Sequence, residues 1–225
     1  MKLSNETLTF LKNFATINQG MQFRQGKKLS TVSPSKTVLA QAGINDEFPK
    51  DFCLYDLNQF LMIYNLKKNC ELEFTDSDVI FNKDNGKNKS GYRMTTPEMI
   101  VIPPNKELTL PSVDCEFTLA SEDYDSIIGM AKALSSPHIS VKSDGEKINV
   151  VAFDADDDSA HTDSTEVGAS NGKVFNIVFK TENIKMIPGT YDVKISFKGL
   201  AHFKNTKEDI QYWIAFEAKE SELPN

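Results

Sequence analysis

Cationic excess is what this chain most plainly lacks: 25 Lys and Arg stand against 32 Asp and Glu, a formal charge of −7. That balance excludes a conventional nucleic-acid binder held by a broad basic surface and leaves room only for local contacts with phosphates. Cysteine is scarce. Cys53, Cys70 and Cys115 are odd in number and widely spaced, which points to free thiols in a reducing compartment, hence a cytosolic protein whose Asn5-Glu-Thr and Asn88-Lys-Ser sequons go unused. Neither a Cys-x-x-Cys nor a His-x-x-x-His pair occurs, and His138, His161 and His202 are scattered, so no transition-metal site is expected. No run of about 18 apolar residues exists to span a membrane, and no apolar leader precedes a cleavage site. Gly-rich phosphate loops and a Gly-x-Ser-x-Gly elbow are also missing. With no nucleophile, base and orienting group to choose, no enzyme, catalytic residue or cofactor is expected.

One acidic stretch invites a calcium reading. Asp154, Asp156 and Asp158 match positions 1, 3 and 5 of a calcium loop,. Ser159 then stands where the turn needs Gly, and Thr165 where a bidentate Glu belongs; Glu166 comes one residue late. The stretch reads instead as a solvated, mobile surface loop, and a calcium-dependent adhesion module is the rival reading it would support.

What is present is periodic. At about 100° per residue, Leu3, Leu8, Phe10, Leu11, Phe14, Ala15 and Ile17 share one half of a helical wheel, and Asn5, Glu6, Thr9, Lys12, Asn13 and Thr16 the other,. Ser4 supplies an N-cap and Gly20 a stop beyond Asn18. The polar half carries one cation and few charges. Alternating runs follow at Met21–Arg24, Lys28–Val32, Lys36–Ala42 and Phe52–Tyr55, separated by turn residues,. Asp56 caps a second helix with Leu57, Phe60, Leu61 and Tyr64 on one face, ending near Lys67 and Lys68. Strands are expected at Cys70–Phe74, Val79–Asn82, Gly91–Thr95 and Met99–Ile102. The segment Pro103–Pro111 is extended, with prolines at both ends,.

The second half repeats this plan. A strand at Glu116–Leu119 leads to Ser121, read as the cap of a helix with Ile127, Ile128, Met130, Ala131 and Leu134 on one arc. An Asp144-Gly145 hairpin joins His138–Lys142 to Lys147–Asp154,. After a long polar loop comes Val174–Phe179. Thr181 is expected to cap a short helix through Ile184, Met186 and Ile187, with strands at Thr190–Phe197 and Gln211–Ala218 closing the chain. The halves align with offsets of about 117 residues at the first helix and about 125 at the second,. Domains are expected at 1–102 and 113–225 with a connector over 103–112. The charge is uneven between them: 14 Lys and Arg against 12 Asp and Glu up to residue 112, a net +2, and 11 against 20 beyond it, a net −9.

Residues Met1-Lys-Leu-Ser, Leu11-Lys-Asn-Phe-Ala-Thr-Ile-Asn18, Tyr55-Asp-Leu-Asn-Gln-Phe-Leu61, Pro104-Asn-Lys106 and Met186-Ile-Pro-Gly-Thr-Tyr191 together resemble the sliding clamps, the DNA polymerase processivity factors, of myovirus-type tailed bacteriophages. The resemblance implies an α+β DNA-clamp fold: two tandem duplicated domains of antiparallel sheets with two helices each. It implies three protomers closing head-to-tail into a ring of six such domains that encircles duplex DNA without reading sequence. The partners implied are the DNA polymerase, an ATP-dependent clamp loader and further copies of the chain. Relatives of this type also serve late viral transcription, which adds RNA polymerase accessory factors. The implied location is the cytoplasm of an infected bacterium, with no membrane. By position in the resemblance, Lys12 and Lys132 are DNA-facing candidates; Lys67, Lys68 and Lys185 are added from helix ends. Ile102, Leu108 and Leu110, with Trp213 and Phe216 of the final strand, are candidates for an apolar groove that receives partner peptides. The alternative is a β-rich oligomeric virion or binding module that does not encircle DNA.

Overall fold

The computed structural model describes residues 1–68, 70–106 and 108–224, and the chain divides into two compact units, Met1–Asn105 and Lys106–Asn225. In the first unit the order is α1 (Asn5–Ile17), β1 (Met21–Phe23), β2 (Gly26–Val32), β3 (Val38–Phe48), β4 (Phe52–Leu54), α2 (Leu57–Leu66), β5 (Glu71–Phe74), β6 (Asp78–Lys83) and β7 (Asn88–Arg93). In the second it is β8 (Cys115–Leu119), α3 (Ser121–Ala133), β9 (His138–Asp144), β10 (Lys147–Phe153), β11 (Asp163–Ala169), β12 (Val174–Lys180), β13 (Tyr191–Ser196), β14 (Leu200–Asn205) and β15 (Ile210–Ala215). No helix among the described residues is long and apolar enough to cross a membrane.

Helix α1 forms where its period predicts. The Thr7 amide donates to Ser4 Oγ at 3.2 Å, satisfying one orphan donor of the first turn,. Phe10, Leu11 and Phe14 are fully buried, each contributing about 2 kcal/mol by transfer from water. The helix ends at Asn18, whose amide donates to Val32 O at 2.9 Å and Val101 O at 3.0 Å and accepts from the Gly20 amide at 3.1 Å. One side chain therefore anchors the end of α1 to two other segments. Below it β1 pairs with β4, β2 with β3, and β5-β6-β7 form a three-stranded sheet, all antiparallel. Phe23 stacks on Phe52 at 4.5 Å and meets Phe48 at 4.8 Å, inside the preferred range for aromatic pairs.

The second unit holds antiparallel sheets β11-β10-β9-β12 and β8-β13-β14-β15. Its α3 begins at Ser121, but the N-cap position is Ala120 and no side chain of the cap accepts a bond. The Ser121 amide instead donates to Thr190 Oγ1 at 3.2 Å, so a tertiary contact replaces the expected cap.

Other expectations are corrected. The fourth helix does not form: Thr181–Asn183 is a single 3₁₀ turn, so the second unit has one α-helix where two were expected. Pro188 keeps Ile187 out of helical geometry, and three tyrosines bind the backbone that follows the turn. Tyr124 donates to Met186 O at 2.8 Å, Tyr191 donates to Ile187 O at 2.5 Å, and the Ile187 amide donates to Tyr212 at 3.2 Å. The expected strand at Met99–Ile102 is instead the end of a 3₁₀ turn, Pro97–Met99, followed by extended chain. The long polar loop expected before Val174 is in part a strand: Asp163–Ala169 is β11, paired with β10 from Lys147↔Ala169 to Ala152↔Asp163. Strand β14, which the sequence reading passed over, follows a tight turn at Gly199 with φ +107°.

Candidate nucleic-acid interface

The exposed line of α1 is Asn5, Thr9, Lys12 and Thr16. Thr9 Oγ1 donates to Asn5 O at 2.9 Å and Thr16 Oγ1 to Asn13 O at 2.7 Å. These hydroxyls are turned back onto the helix, leaving Lys12 as the only cation of a face with little charge. Helix α2 carries no charged residue at all. Asp56 caps it, accepting from the Gln59 amide at 2.9 Å, and holds Gln19 Nε2 at 2.8 Å. Its solvent side presents Asn58, Gln59, Met62 and Asn65, with Met62 62% and Leu66 73% exposed.

Between α1 and α2 runs an open groove lined by Leu8, Lys12, Leu61, Tyr64, Asn65 and Lys68. It brings two of the expected lysines, Lys12 and Lys68, to one concavity with an apolar floor. Tyr64 is fixed there because its hydroxyl accepts from the Leu3 amide at 2.9 Å. Burial pushes the Tyr64 phenol up, so it stays neutral beside the lysines. Lys67 is turned away from the groove, donating to Asn88 Oδ1 at 2.6 Å at the start of β7.

In the second unit Lys132 is exposed in the last turn of α3, while Glu122 and Asp123 occupy the first turn. Acid at the N-terminus and base at the C-terminus complement the helix dipole, which gives Lys132 a structural role whatever it faces. Glu122, Asp123 and Asp125 outweigh it, so α3 is acidic overall. Lys185 is half-buried and follows the 3₁₀ turn rather than ending a helix; its amide donates to Asn183 O at 3.0 Å.

The peptide-groove candidates do not all survive. Ile102 is exposed and Leu108 and Leu110 are half-buried. Trp213 and Phe216, however, are only 4% and 7% exposed. Trp213 stacks on His202 at 4.7 Å, and Phe216 meets Phe179 edge-on at 6.3 Å. They are interior packing, which removes them from any open groove. Burial also lowers the His202 pKa, and its ring pairs with Gln211 at 3.0 Å.

The acidic stretch uses its carboxylates on itself. The Asp156 amide donates to Asp154 Oδ1 at 3.0 Å and the Ser159 amide to Asp157 Oδ1 at 2.9 Å. Among the described residues no group of three or more His, Cys, Asp or Glu could hold a metal ion. All three cysteines are free and buried, and burial raises each thiol, Cys115 to about 11.

Two features escaped the sequence reading. Among the described residues, strand β7 is bonded only to β6, and β11 only to β10, so each presents a free edge. Lys83, Lys87, Lys89 and Arg93 gather on the hairpin that carries the first, and Asp163 and Glu166 lie on the second. Alternation in these strands is weak because few of their residues are buried.

Residues 4–101 match the family described as DNA polymerase processivity factor, and residues 116–218 the one described as gp45 sliding clamp, C terminal. The sliding clamp of Vibrio phage KVP40 is 32% identical over 223 residues, covering 97% of this chain and 100% of that one. The sliding clamp of Enterobacteria phage T4 is 30% identical over 230 residues, covering 97% of each. Among solved structures, an A. fulgidus PCNA superposes with a TM-score of 0.64 at 15% identity, covering 93% of this chain and 94% of that one. An H. pylori beta clamp gives 0.69 at 13% identity, covering 93% of this chain and 63% of that one. The α+β fold of antiparallel sheets expected from the sequence is the fold these structures share.

Proposed function

The chain belongs to the sliding-clamp family of DNA polymerase processivity factors, and from this premise we propose that three copies close head-to-tail into a ring that encircles duplex DNA. Such a factor is a scaffold and catalyses nothing itself. The observation that carries the ring is the pair of free strand edges, β7 in one unit and β11 in the other. Two different patches on one chain make a heterologous contact, which closes into a ring when its rotation permits, and pairing them removes both exposed edges. The lysines near β7 and the acids of β11 have opposite sign, which favours correct docking.

In this ring the helices face the hole. A trimer would carry three times −7, or −21, yet charges farther than roughly 8 Å are screened at physiological salt. Lys12 and Lys68 in their groove would then meet the phosphates while the acidic stretch does not. Lys132 adds a weaker contact from an acidic helix, and Lys67 and Lys185 add less. Retention is topological, so weak contact suffices and favours sliding. The ring would tether the DNA polymerase after an ATP-dependent loader opens it, in the cytoplasm of the infected bacterium, and would serve late transcription through RNA polymerase accessory factors. Ile102, Leu108 and Leu110 are the remaining candidates for peptide contact.

The test is loading onto circular DNA followed by linearisation. Release on cutting is expected; equal retention on linear DNA with free ends overturns encirclement. Solution mass should be about 76 kDa, three times the 25.2 kDa chain, and a monomer or open assembly would favour a binding module instead.

A further inference from the structure

The outer edge of β12 is closed by the chain's own C-terminal segment. The amide of Asn176 donates to Glu222 O and that of Glu222 to Asn176 O, both at 2.8 Å. The Val178 amide donates to Ser221 Oγ at 2.9 Å, and the Glu217 amide to Val178 O at 2.7 Å. Both main-chain groups of Asn176 and of Val178, the outward-bonding positions of the strand, thus depend on residues 217–222. That segment forms no strand of its own beyond the bridge at Glu222.

The cover is incomplete in three ways. A serine hydroxyl stands where a strand would place a carbonyl, and its own hydrogen is spent on Glu217 O at 2.8 Å. Asn176 Oδ1 is buried without a hydrogen-bond partner, a state that native structures rarely leave unrelieved. Beyond the bridge, Leu223 and Val174 remain exposed at the rim of a concavity formed by residues 172–175 and 222–224. A regular strand on this edge would supply the missing carbonyl and bury the apolar rim.

We propose that the outer edge of β12 is a docking site for an extended peptide of a partner protein, and that residues 217–223 are a resident strap which that peptide displaces. The strap itself indicates the occupant. One residue, Glu222, offers both main-chain groups to Asn176, the residue before it offers a side-chain acceptor to Val178, and an apolar side chain follows beside Val174 and Phe175. Main-chain bonds give the affinity in this mode and side-chain pockets the choice of sequence. Lys180 ends β12, and Lys173, which precedes it, also bonds Asp114, so an acidic flank towards Lys180 suits the peptide, as Glu217 suits the strap. Because the strap is tethered, its effective concentration is on the order of millimolar, and a free competitor engages the intact chain only weakly. None of this depends on DNA or on ring closure.

The probe is a fluorescein-labelled peptide with the sequence of residues 216–224, titrated by anisotropy against the intact chain and a chain ending at Ala218. Binding to the shortened chain should be at least about tenfold tighter, and a probe with Pro in place of Glu222, which lacks the amide for Asn176 O, should lose it. A shortened chain that keeps its native melting transition but binds no better than the intact one, or takes both probes equally, overturns the proposal. If the shortened chain fails to fold, Glu222→Pro in the full chain takes its place: faster hydrogen exchange at the Asn176 amide and tighter probe binding are expected, and no change in either is the contrary result. An assembly of intact chains that is lost when the segment is removed would assign the edge to a second copy and also overturn the proposal.

Discussion

Tyr191 and Tyr212 hold the two polar groups of one backbone residue: Tyr191 donates to the Ile187 carbonyl at 2.5 Å, and Tyr212 accepts from the Ile187 amide at 3.2 Å. Both phenols are buried, and burial raises both, Tyr191 to about 12. Tyr191→Phe and Tyr212→Phe should each cost about 1 kcal/mol. Because they share Ile187, their costs should not add. The sign with pH is fixed by the raised values. The unfolded chain loses its phenolic protons near pH 10, before the folded one, so stability is full below about 10 and falls as pH rises towards 12. Thermal melts from pH 8 to 11 on the wild type and on the double variant check this, and the double variant should have the flatter profile.

That tyrosine clamp also marks where the sequence stops being legible. The three α-helices and the caps at Ser4 and Asp56 follow from local chemistry, which needs only neighbouring residues. Thr181–Ile187 carries the same local signals, but Tyr124 on α3, Tyr191 at the start of β13 and Tyr212 on β15 bind the backbone at Met186 and Ile187. Strand β11 is polar on both sides, and period counting finds nothing in an edge strand with no buried residue. Lys12 was legible as a face, whereas its convergence with Lys68 depends on how α1 packs on α2. Trp213 is a groove candidate from its place in the final strand alone; its burial against His202 on the neighbouring strand β14 is a tertiary contact that no local pattern carries.

Asp114 accepts from Ser112 Oγ at 2.7 Å and from the Phe197 amide at 2.8 Å. These bonds, the serine's first, hold its carboxyl below the usual carboxylate range. A depressed carboxylate contributes stability above its unfolded pKa of about 3.9 and loses it as pH falls further. Asp114→Asn should cost about 1 kcal/mol at pH 7, and the gap to wild type should close below pH 4 in urea unfolding. A constant gap down to pH 2.5 would mean the charge is irrelevant.

Gly20 is packed where no side chain fits: a Cβ would lie 2.6 Å from Ile100 Cγ2 and 2.9 Å from Ile100 Cβ. Gly20→Ala should therefore destabilise by about 1–3 kcal/mol through overpacking. Ile100→Ala in the same chain should recover part of that loss. Equal melting temperatures for the two Gly20→Ala chains would show that Ile100 is not the obstacle.

Lys12 and Lys68 line one groove while Lys67 is bonded to Asn88, so charge reversal should rank them. Lys12→Glu and Lys68→Glu should each weaken duplex binding by roughly fivefold and lower the salt slope by about one. Lys67→Glu should do less. Solution mass should stay that of the parent in all three. Three equal effects would remove the groove from the DNA face.

The free edges make a stricter demand, because sign can be exchanged. Arg93 on β7 is bridged to Asp78 at 3.2 Å, and Glu166 on β11 to Lys147 at 2.6 Å. Each end of the proposed contact is therefore partly neutralised within its own chain, and no single reversal should abolish assembly. Reversing Asp163 and Glu166 to Lys should lower the assembled fraction in analytical ultracentrifugation by roughly tenfold at low salt, with recovery near 1 M where screening reaches about 3 Å. Adding Lys89→Glu and Arg93→Glu to that chain should restore assembly at low salt. Reversal of the lysine side alone should mimic the acid side. If the fourfold variant assembles no better than either double variant, β7 and β11 do not meet.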